Sequence, residues 1–561
     1  MGSTSTTGAA TTAGRRWARV SGGRGAGGAR LRGAAAWALG TAVAGAALFT
    51  CYLLQSRTVS AGSDGASIAL QAWDMLHGNP LLRGWHVADV SFYTTELPQY
   101  AAIESVRGLS ADVIHVGGAM TYTLLVLLAA YLARGRARGR AGLARAVVGG
   151  GIMLAPQLGV GTGTLLLGPD HTGSAVPVLV VLLLLDLAPA RWYVPVLAGL
   201  LLAWGLIADA LVLFIGVAPV VVVCLARVLH GVIVRRPGAA RGGDPAPRGR
   251  GGDPGLRGVA RASWFELSLA AAAAAAVPVA AGIVALIRAL GGWQLNSLQA
   301  SFATAGMIAG NVRLTGQGLL ALFGADVFDT SSGLAVVFAV VHLAGFAMVG
   351  WGLWIAARRF FRADALVEAV CVAAIVINVA AYLAGVQAVN IASTREIAPV
   401  LPFGAVLAGR LLGERLLARR LVPVAAVVLA GYTAMLCYAA AQPALAAQHA
   451  DLAGWLRAHH LTSGVSGYSQ ANIVTAESGG AISLRPVVAA GRYIAPREWE
   501  SGRSWFDPAR HTANFLVLSS FGPYQVSARE AVATFGQPAR TYRYRVYTIM
   551  VWKTNLLERL H

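Results

Sequence analysis

TVSAGSDGASIALQAWDMLHGNPLLRGWHVADVSFYTTELPQYAAIESVRGLSAD, residues 58–112, joins two apolar runs that are each long enough to cross a bilayer. A tight turn would be enough to connect two spanning helices. This connection instead carries Asp64, Asp74, Asp89, Glu96, Glu104 and Asp112, with Trp73, Trp85, Tyr93 and Tyr100 among them. Its only arginines are Arg83 and Arg107, although arginine is abundant in other loops. A membrane protein that gathers carboxylates in its first long loop has a place there for chemistry or recognition.

The rest of the chain supports the membrane reading. Of 561 residues, 56% are hydrophobic and only 12% charged, where soluble domains carry about a quarter. Mean hydropathy is +0.61. Apolar runs near twenty residues recur, each matching a hydrocarbon core of about 30 Å. The formal charge of +20 does not imply nucleic-acid binding, because the basic residues sit in short loops between apolar runs. That is the positive-inside pattern of a cytoplasmic face. Lys553 is the only lysine, and the Ala-, Gly- and Arg-rich usage is actinobacterial-like. Cys51, Cys224, Cys371 and Cys437 all lie in or beside apolar runs, so they read as packing residues rather than a disulfide framework or a zinc site.

Residues 1–32 are Gly, Ser, Thr and Arg with few large apolar side chains, and are expected to be a disordered cytoplasmic segment. The run 33–54 reads as an uncleaved signal-anchor. Further spans are expected near 112–133, 146–167, 174–190, 191–208, 209–229, 264–288, 333–357, 365–386, 396–412 and 421–440. The fold class is then a polytopic α-helical membrane protein of about eleven spans. Basic clusters at 134–145, 235–261, 358–362 and 410–420 fall on the side of the N-terminus, and the acidic first loop falls on the other. Residues 236–262 form a Gly/Pro/Arg linker. From 443 to 561 the pattern changes to a small α/β domain, placed outside by the odd span count. HADLAGWLRAHHL and AREAVATFG read as helices, and AISLRPVV, ANFLVLSS and VYTIMVWK as strands. The expected location is the plasma (inner) membrane.

Within the first loop, Ser63 or Asp64 suits the N-cap of a helix running to His77, stopped by Gly78-Asn79-Pro80. A second helix is expected from Leu97-Pro98 to Gly108. Both are amphipathic, so they fit the interfacial plane as walls of a groove. The loop's tryptophans and tyrosines suit that depth, or a face for stacking on sugar rings.

SDGASIALQAWDMLHGNPLL followed by FYTTELPQYAAIESVRGLSADVIHVGGAM resembles the GT-C superfamily of membrane glycosyltransferases, nearest to the protein O-mannosyltransferase and aminoarabinose-transferase branch. There, an acidic residue soon after the first span opens one jaw helix, and a Pro-containing segment opens a second. Asp64 falls on the first feature and Leu97-Pro98-Gln99-Tyr100 on the second. The resemblance implies a GT-C-like membrane domain over 33–442. It also implies inverting transfer of a sugar from a polyprenyl-phosphate donor to an extracytoplasmic acceptor, which is a cell-envelope glycan, lipid or protein. Asp64 then has two readings, a helix cap or the general base that takes the acceptor proton. Arg395, in Ser393-Thr394-Arg395-Glu396, matches the family's basic residue near the lipid phosphate; its plainer reading is an interfacial anchor or a partner for Glu396. The chain departs from the family in having Asp64-Gly65 for Asp-Glu, and Glu96-Leu97-Pro98 for a basic residue with two prolines. The acceptor therefore cannot be carried over.

The turn Gly168-Pro169-Asp170-His171-Thr172-Gly173 offers His171 to a donor phosphate and Asp170 to a substrate, with a solvated turn as the alternative. Asp89, Glu96 and Tyr93 are further candidates for substrate contact. No DxD pair occurs in the first loop, and P-loop, Rossmann, HExxH and CxxC motifs are missing, so no cofactor is expected and a metal-dependent mechanism has little support, with a divalent metal held by the 168–173 turn and Asp89 or Glu96 as the alternative. The embedded ionisable residues Asp186, Asp209, His342 and Glu368 are expected at span ends or in packing. Two other functions remain open: a transporter or flippase of a lipid-linked sugar, suggested by the broken stretch GGGIMLAPQLGVGTG, and a glycan-binding protein using Tyr468, Trp499, Trp505 and Tyr524. Expected partners are the lipid-linked donor, membrane lipid and the envelope acceptor, with no nucleic acid.

Overall fold

Seven helices among the described residues are long and apolar enough to cross a membrane, or up to nine if each of two bent pairs counts as one span. The structure is a computed structural model that describes residues 23–168, 171–188, 190–234, 263–296, 301–328, 332–362, 364–520 and 525–560, side chains at 23–34 and 234 excepted. Asp170 and Tyr524, both singled out in the sequence, lie outside these residues. The chain divides into two compact units, Met1–Thr50 and Cys51–His561. In the first, the helix begins at Gly23 rather than after residue 32, because Ala29-Arg30-Leu31-Arg32 are good helix formers that extend the apolar run backward.

The first nine helices are α1 (Gly23–Ser56), α2 (Ser63–Leu76), α3 (Glu96–Arg107), α4 (Asp112–Arg134), α5 (Gly139–Ile152), α6 (Val160–Leu166), α7 (Ala175–Leu187), α8 (Val194–Ala208) and α9 (Ala218–Val234). Hydropathy alone predicts about eleven straight spans, and the count differs for local reasons. The apolar run 146–167 is cut after Ile152, where Pro156 and the left-handed Gly159 (φ 79°) end one helix before α6 begins. Helix α8 has 15 residues and α7 has 13; at about 1.5 Å per residue both fall short of a hydrocarbon core of about 30 Å. The late run at 396–412 is a 3₁₀ helix, Ile391–Ile397, followed by Val400–Leu412 at a 53° bend, with Pro399 at the join. The helix Ala305–Leu322 escapes the hydropathy reading, because Asn311, Arg313, Thr315 and Gln317 dilute its apolar pattern. Asn311 serves the packing: its amide donates to Leu383 O (2.9 Å) and Gly385 O (3.0 Å), closing the end of Leu366–Ala384.

Two of the embedded acids are explained by packing. Arg410 donates from Nε to Glu368 (2.8 Å) and from one terminal nitrogen to Asp186 (2.9 Å), and all three side chains are about nine-tenths buried. Asp209 and His342 are satisfied elsewhere; both ring nitrogens of His342 meet backbone carbonyls, those of Phe338 and Ala155.

The first loop folds inward. Helix α2 buries residues Ser63 and Gly65 to Ala72 against α3 and the later helix Tyr468–Glu477. It is not a lipid-surface helix along that face. Gly62, in extended conformation, is its N-cap and gives no side-chain hydrogen bond. The capping reading of Ser63 and Asp64 is therefore corrected: Ser63 Oγ turns to Tyr468 O (2.7 Å) instead. Trp85 and Tyr100 are fully buried, so neither offers a sugar platform. The departure at Gly65 has a steric cause, since a Cβ there would sit 3.0 Å from both Gly168 O and Ile114 Cγ2.

Residues beyond 450 form a six-stranded sheet. Its strands are β3 (Ser463–Gly467), β4 (Ser483–Ala490), β5 (Tyr493–Pro496), β7 (Phe515–Ser519), β8 (Arg540–Tyr544) and β9 (Tyr547–Val551), ordered β5-β4-β3-β7-β9-β8. Strand β3 runs parallel to β4 and β7, and the helix Tyr468–Glu477 supplies the β3–β4 crossover. A second, three-stranded sheet joins distant segments: β1 (Trp85–Val87) pairs with β2 (Gln294–Leu295) on one edge and with β6 (Ser501–Gly502) on the other. Trp85 and Trp505 meet edge to face, 4.9 Å apart, over this junction.

Arg410→Ala strands two buried carboxylates and is expected to cost about 3–5 kcal/mol, read as a large drop in Tm in detergent. Glu104 on α3 is 1% exposed and, among the described residues, neither carboxylate oxygen has a hydrogen-bond partner. Burial pushes its carboxyl up to about 9. The folded state thus holds a proton that the unfolded state releases near pH 4–5, so stability falls as pH rises from there towards 9, by an amount on the order of a few kcal/mol. Glu104→Gln should flatten the decline of Tm between pH 5 and pH 8; an unchanged slope would exclude this carboxyl as its source.

Candidate functional site

Helix α2 begins immediately after a pinned connection. Arg57 forks onto Asp112 through Nε (2.9 Å) and a terminal nitrogen (2.8 Å), which fixes the chain leading into α2. With Gly62 as cap, Asp64 is the acid of the first helical turn, where the helix dipole favours negative charge. Its Oδ1 accepts a 2.6 Å hydrogen bond from the Tyr468 hydroxyl, and the Arg497 guanidinium lies 4.6 Å from the Tyr468 ring centre.

Asp64 and Arg395 line two adjoining cavities. The larger, about 900 Å³, has apolar residues such as Val160 and Leu167 on the membrane-helix side. From the C-terminal region it takes His449, Tyr468 and Tyr547. The smaller, about 80 Å³, is lined by Asp64, Asp89, His171, Arg395, Trp499 and Glu500 among others. Arg395 is carried by the 3₁₀ helix Ile391–Ile397, which Asn390 caps by accepting from Ser393 N. Asp89 is held by the chain just beyond it, where Ser91 N and Phe92 N both donate to Ala208 O (3.0 and 3.1 Å).

The charges are unbalanced towards acid. Burial pushes the Asp64 carboxyl above its ordinary value, against the pull of Arg395 and Arg497. Burial likewise raises Asp89, opposed by His171 and Arg395 and reinforced by Glu396. Glu500 is raised well above the carboxylate range, first by burial and then by Asp64 and Asp89, with Arg395 pulling the other way.

His171 lies beside this cluster with a carboxylate on each ring nitrogen: Asp209 at 2.7 Å from Nδ1 and Glu396 at 3.1 Å from Nε2. Asp209 is held in turn by Leu211 N (2.8 Å) and by the Ser174 hydroxyl. No sequence signal announces this chain of partners, which joins residues far apart in the chain.

The remaining candidates lie off the two cavities. Glu96 is buried with its carboxylate against Gly173, lines a minor void of about 10 Å³, and is raised by burial to about 7. Tyr93 donates its hydroxyl to Pro80 O (2.9 Å), packs near Trp293 and is not among the lining residues of either cavity. Glu500 and Arg497 escape the sequence reading, and Glu396, read there as a partner for Arg395, instead meets His171. Nothing local in REWESGRSWFD marks Glu500; only the tertiary fold brings it to Asp64. Among the described residues no group of three His, Cys, Asp or Glu side chains is placed to hold a metal ion.

No protein-family model matches the chain. No curated protein matches it either. Among solved structures it is similar to the oligosaccharyltransferase of Archaeoglobus fulgidus. The crystal structure with zinc and sulfate has a TM-score of 0.45 and 15% identity, covering 85% of this chain and 67% of the other. The one tethered through a disulfide to an acceptor peptide with the NVT sequon also has a TM-score of 0.45 and 15% identity, covering 86% and 69%. The same enzyme, AglB, with an inhibitory peptide and a dolichol-phosphate has a TM-score of 0.40 and 13% identity, covering 86% and 69%.

Proposed function

We propose that this chain is a membrane glycosyltransferase that moves a sugar, with inversion, from a polyprenyl-phosphate donor to a hydroxyl-bearing acceptor of the cell envelope. The observation that carries the reading is that Asp64 and Arg395 line both cavities, so one carboxylate and one guanidinium share the same junction. A volume of about 900 Å³ lies within the usual range for a substrate-sized pocket.

In this reading the donor phosphate lies against Arg395, whose planar fork suits two phosphate oxygens at once. The apolar wall at Val160 and Leu167 takes the start of the prenyl chain. The acceptor enters from the side of His449, Tyr468 and Tyr547. Asp64 removes the hydroxyl proton as the acceptor oxygen attacks the anomeric carbon. The bond from that carbon to the phosphate oxygen breaks on the opposite face, and its electron pair stays with the phosphate beside Arg395. Tyr468 holds the Asp64 carboxylate in line through its 2.6 Å hydrogen bond. The raised affinity of Asp64 for protons moves a base of ordinarily acidic carboxylate strength towards neutral working pH.

Asp64→Asn is the direct test in reconstituted vesicles supplied with polyprenyl-phosphate sugars. Loss of about 10²–10⁴-fold in transfer is expected for removal of a general base. Wild-type transfer should rise with pH on its acid limb as Asp64 ionises, and that limb should lie above the ordinary carboxylate range. Undiminished turnover by a folded Asp64→Asn protein would remove Asp64 from the reaction.

A further inference from the structure

We infer that Glu500, delivered by the C-terminal region, is a second carboxyl of the reaction centre and donates a hydrogen bond to the donor phosphate beside Arg395. The inference rests on the glycosyltransferase reading above and adds to it a residue from outside the membrane helices.

Placement comes first. Glu500 is 4% exposed and lines the smaller cavity together with Asp64, Asp89, His171 and Arg395. Among the described residues its Oε2 has no hydrogen-bond partner. The backbone holds it there from both directions. Its carbonyl accepts from Asn472 Nδ2 (3.1 Å) and from Ser67 Oγ (3.4 Å), the second reaching across from α2. The next residues, Ser501–Gly502, are locked in register opposite Trp85 and His86, and Arg503 N donates to Gly84 O (2.8 Å). Glu500 itself adopts φ 54°, a left-handed conformation that is unfavourable for a residue with a side chain. The surrounding bonds hold it there.

Chemistry follows from the neighbours. The groups that act on Glu500 are Asp64 from α2, Asp89 from the loop after β1, and Arg395 from the 3₁₀ helix. His171 also lines the cavity, but both of its ring nitrogens already face carboxylates. Carboxyls crowded at one cavity do not all ionise; the most deeply buried keeps its proton, and Glu500 is buried where Asp64 is exposed and Asp89 half-buried. A protonated carboxyl is a donor, whereas an ionised one would repel a phosphate. As the bond between anomeric carbon and phosphate oxygen breaks, charge grows on the phosphate. Arg395 and the Glu500 O–H both point hydrogen at that charge. The acceptor proton goes to Asp64, and Glu500 keeps its own proton throughout.

The test measures binding of polyprenyl monophosphate to full-length protein in nanodiscs, for wild type, Glu500→Gln and Glu500→Ala, at pH 6.5 and 9.5. Glu500→Ala is expected to weaken binding about tenfold at pH 6.5, equivalent to one hydrogen bond to a charged group. Glu500→Gln, which keeps a donor and cannot ionise, should retain most of the binding that the alanine variant loses. Wild-type binding should fall between pH 6.5 and 9.5 as Glu500 ionises, and the fall should be smaller in Glu500→Gln. Should the alanine variant not fold, the comparison of wild type with Glu500→Gln across pH decides alone. Equal falls in wild type and Glu500→Gln, or a folded glutamine variant as weak as the alanine one, would overturn the role of Glu500. Wild type that binds no polyprenyl phosphate at either pH would instead overturn the glycosyltransferase reading itself.

Discussion

Burial of helix α2 is the constraint from which the site follows. A helix in the first loop of a membrane protein is free to lie on the lipid surface, but this one is enclosed by α3 and by the helix Tyr468–Glu477. Enclosure favours a glycine at position 65, where Gly168 O and Ile114 leave little room, and hydroxyls at 63 and 67 that bond to the backbone of Tyr468 and Glu500. With those contacts made, Asp64 is the residue of this stretch left exposed, and it opens onto the cavities. It points into the junction of two cavities, with Tyr468 on one of its oxygens.

The same protein shows two solutions to buried charge. Around Arg410 the geometry is closed: two carboxylates meet one guanidinium at 2.8–2.9 Å. Such a cluster ties neighbouring helices together. Around Arg395 the carboxyls of Asp64, Asp89 and Glu500 gather beside open volume. An excess of acid in a cavity raises proton affinities, and a cation at its edge attracts an incoming anion. The contrast separates an ion cluster that serves packing from one suited to chemistry.

Much of this was legible in the chain itself. The long acidic loop, its two helices, the membrane-length runs and the C-terminal sheet region all follow from hydropathy and turn residues. Asp64 and Arg395 stand out by position, and they meet at one junction. What failed did so for identifiable reasons. Among the described residues fewer helices are of spanning length than hydropathy suggests, because hydropathy does not register a Pro-Gly break or a helix that stops short, as at 152–160 and in α8. A capping role for Asp64 fits the composition because composition cannot tell which of Gly62, Ser63 and Asp64 is extended. Trp85 and Tyr100 look interfacial because aromatic residues suit a membrane boundary and a protein core equally well. Glu500 and the pairing of Glu396 with His171 are invisible in the sequence because no periodicity or motif encodes a contact made across hundreds of residues.

The small sheet built on Trp85–Val87 sets a timetable. Asn296 reaches Val87 across a sequence separation of 209, and Ser67 reaches Glu500 across 433. Contacts so remote form late and slowly, since long intervening loops must close first. During synthesis the acidic loop therefore emerges long before the strands that flank it. The carboxyls of that loop meet Glu500 only once the residues near 500 arrive, so a nascent chain carries the loop's acids without this neighbour.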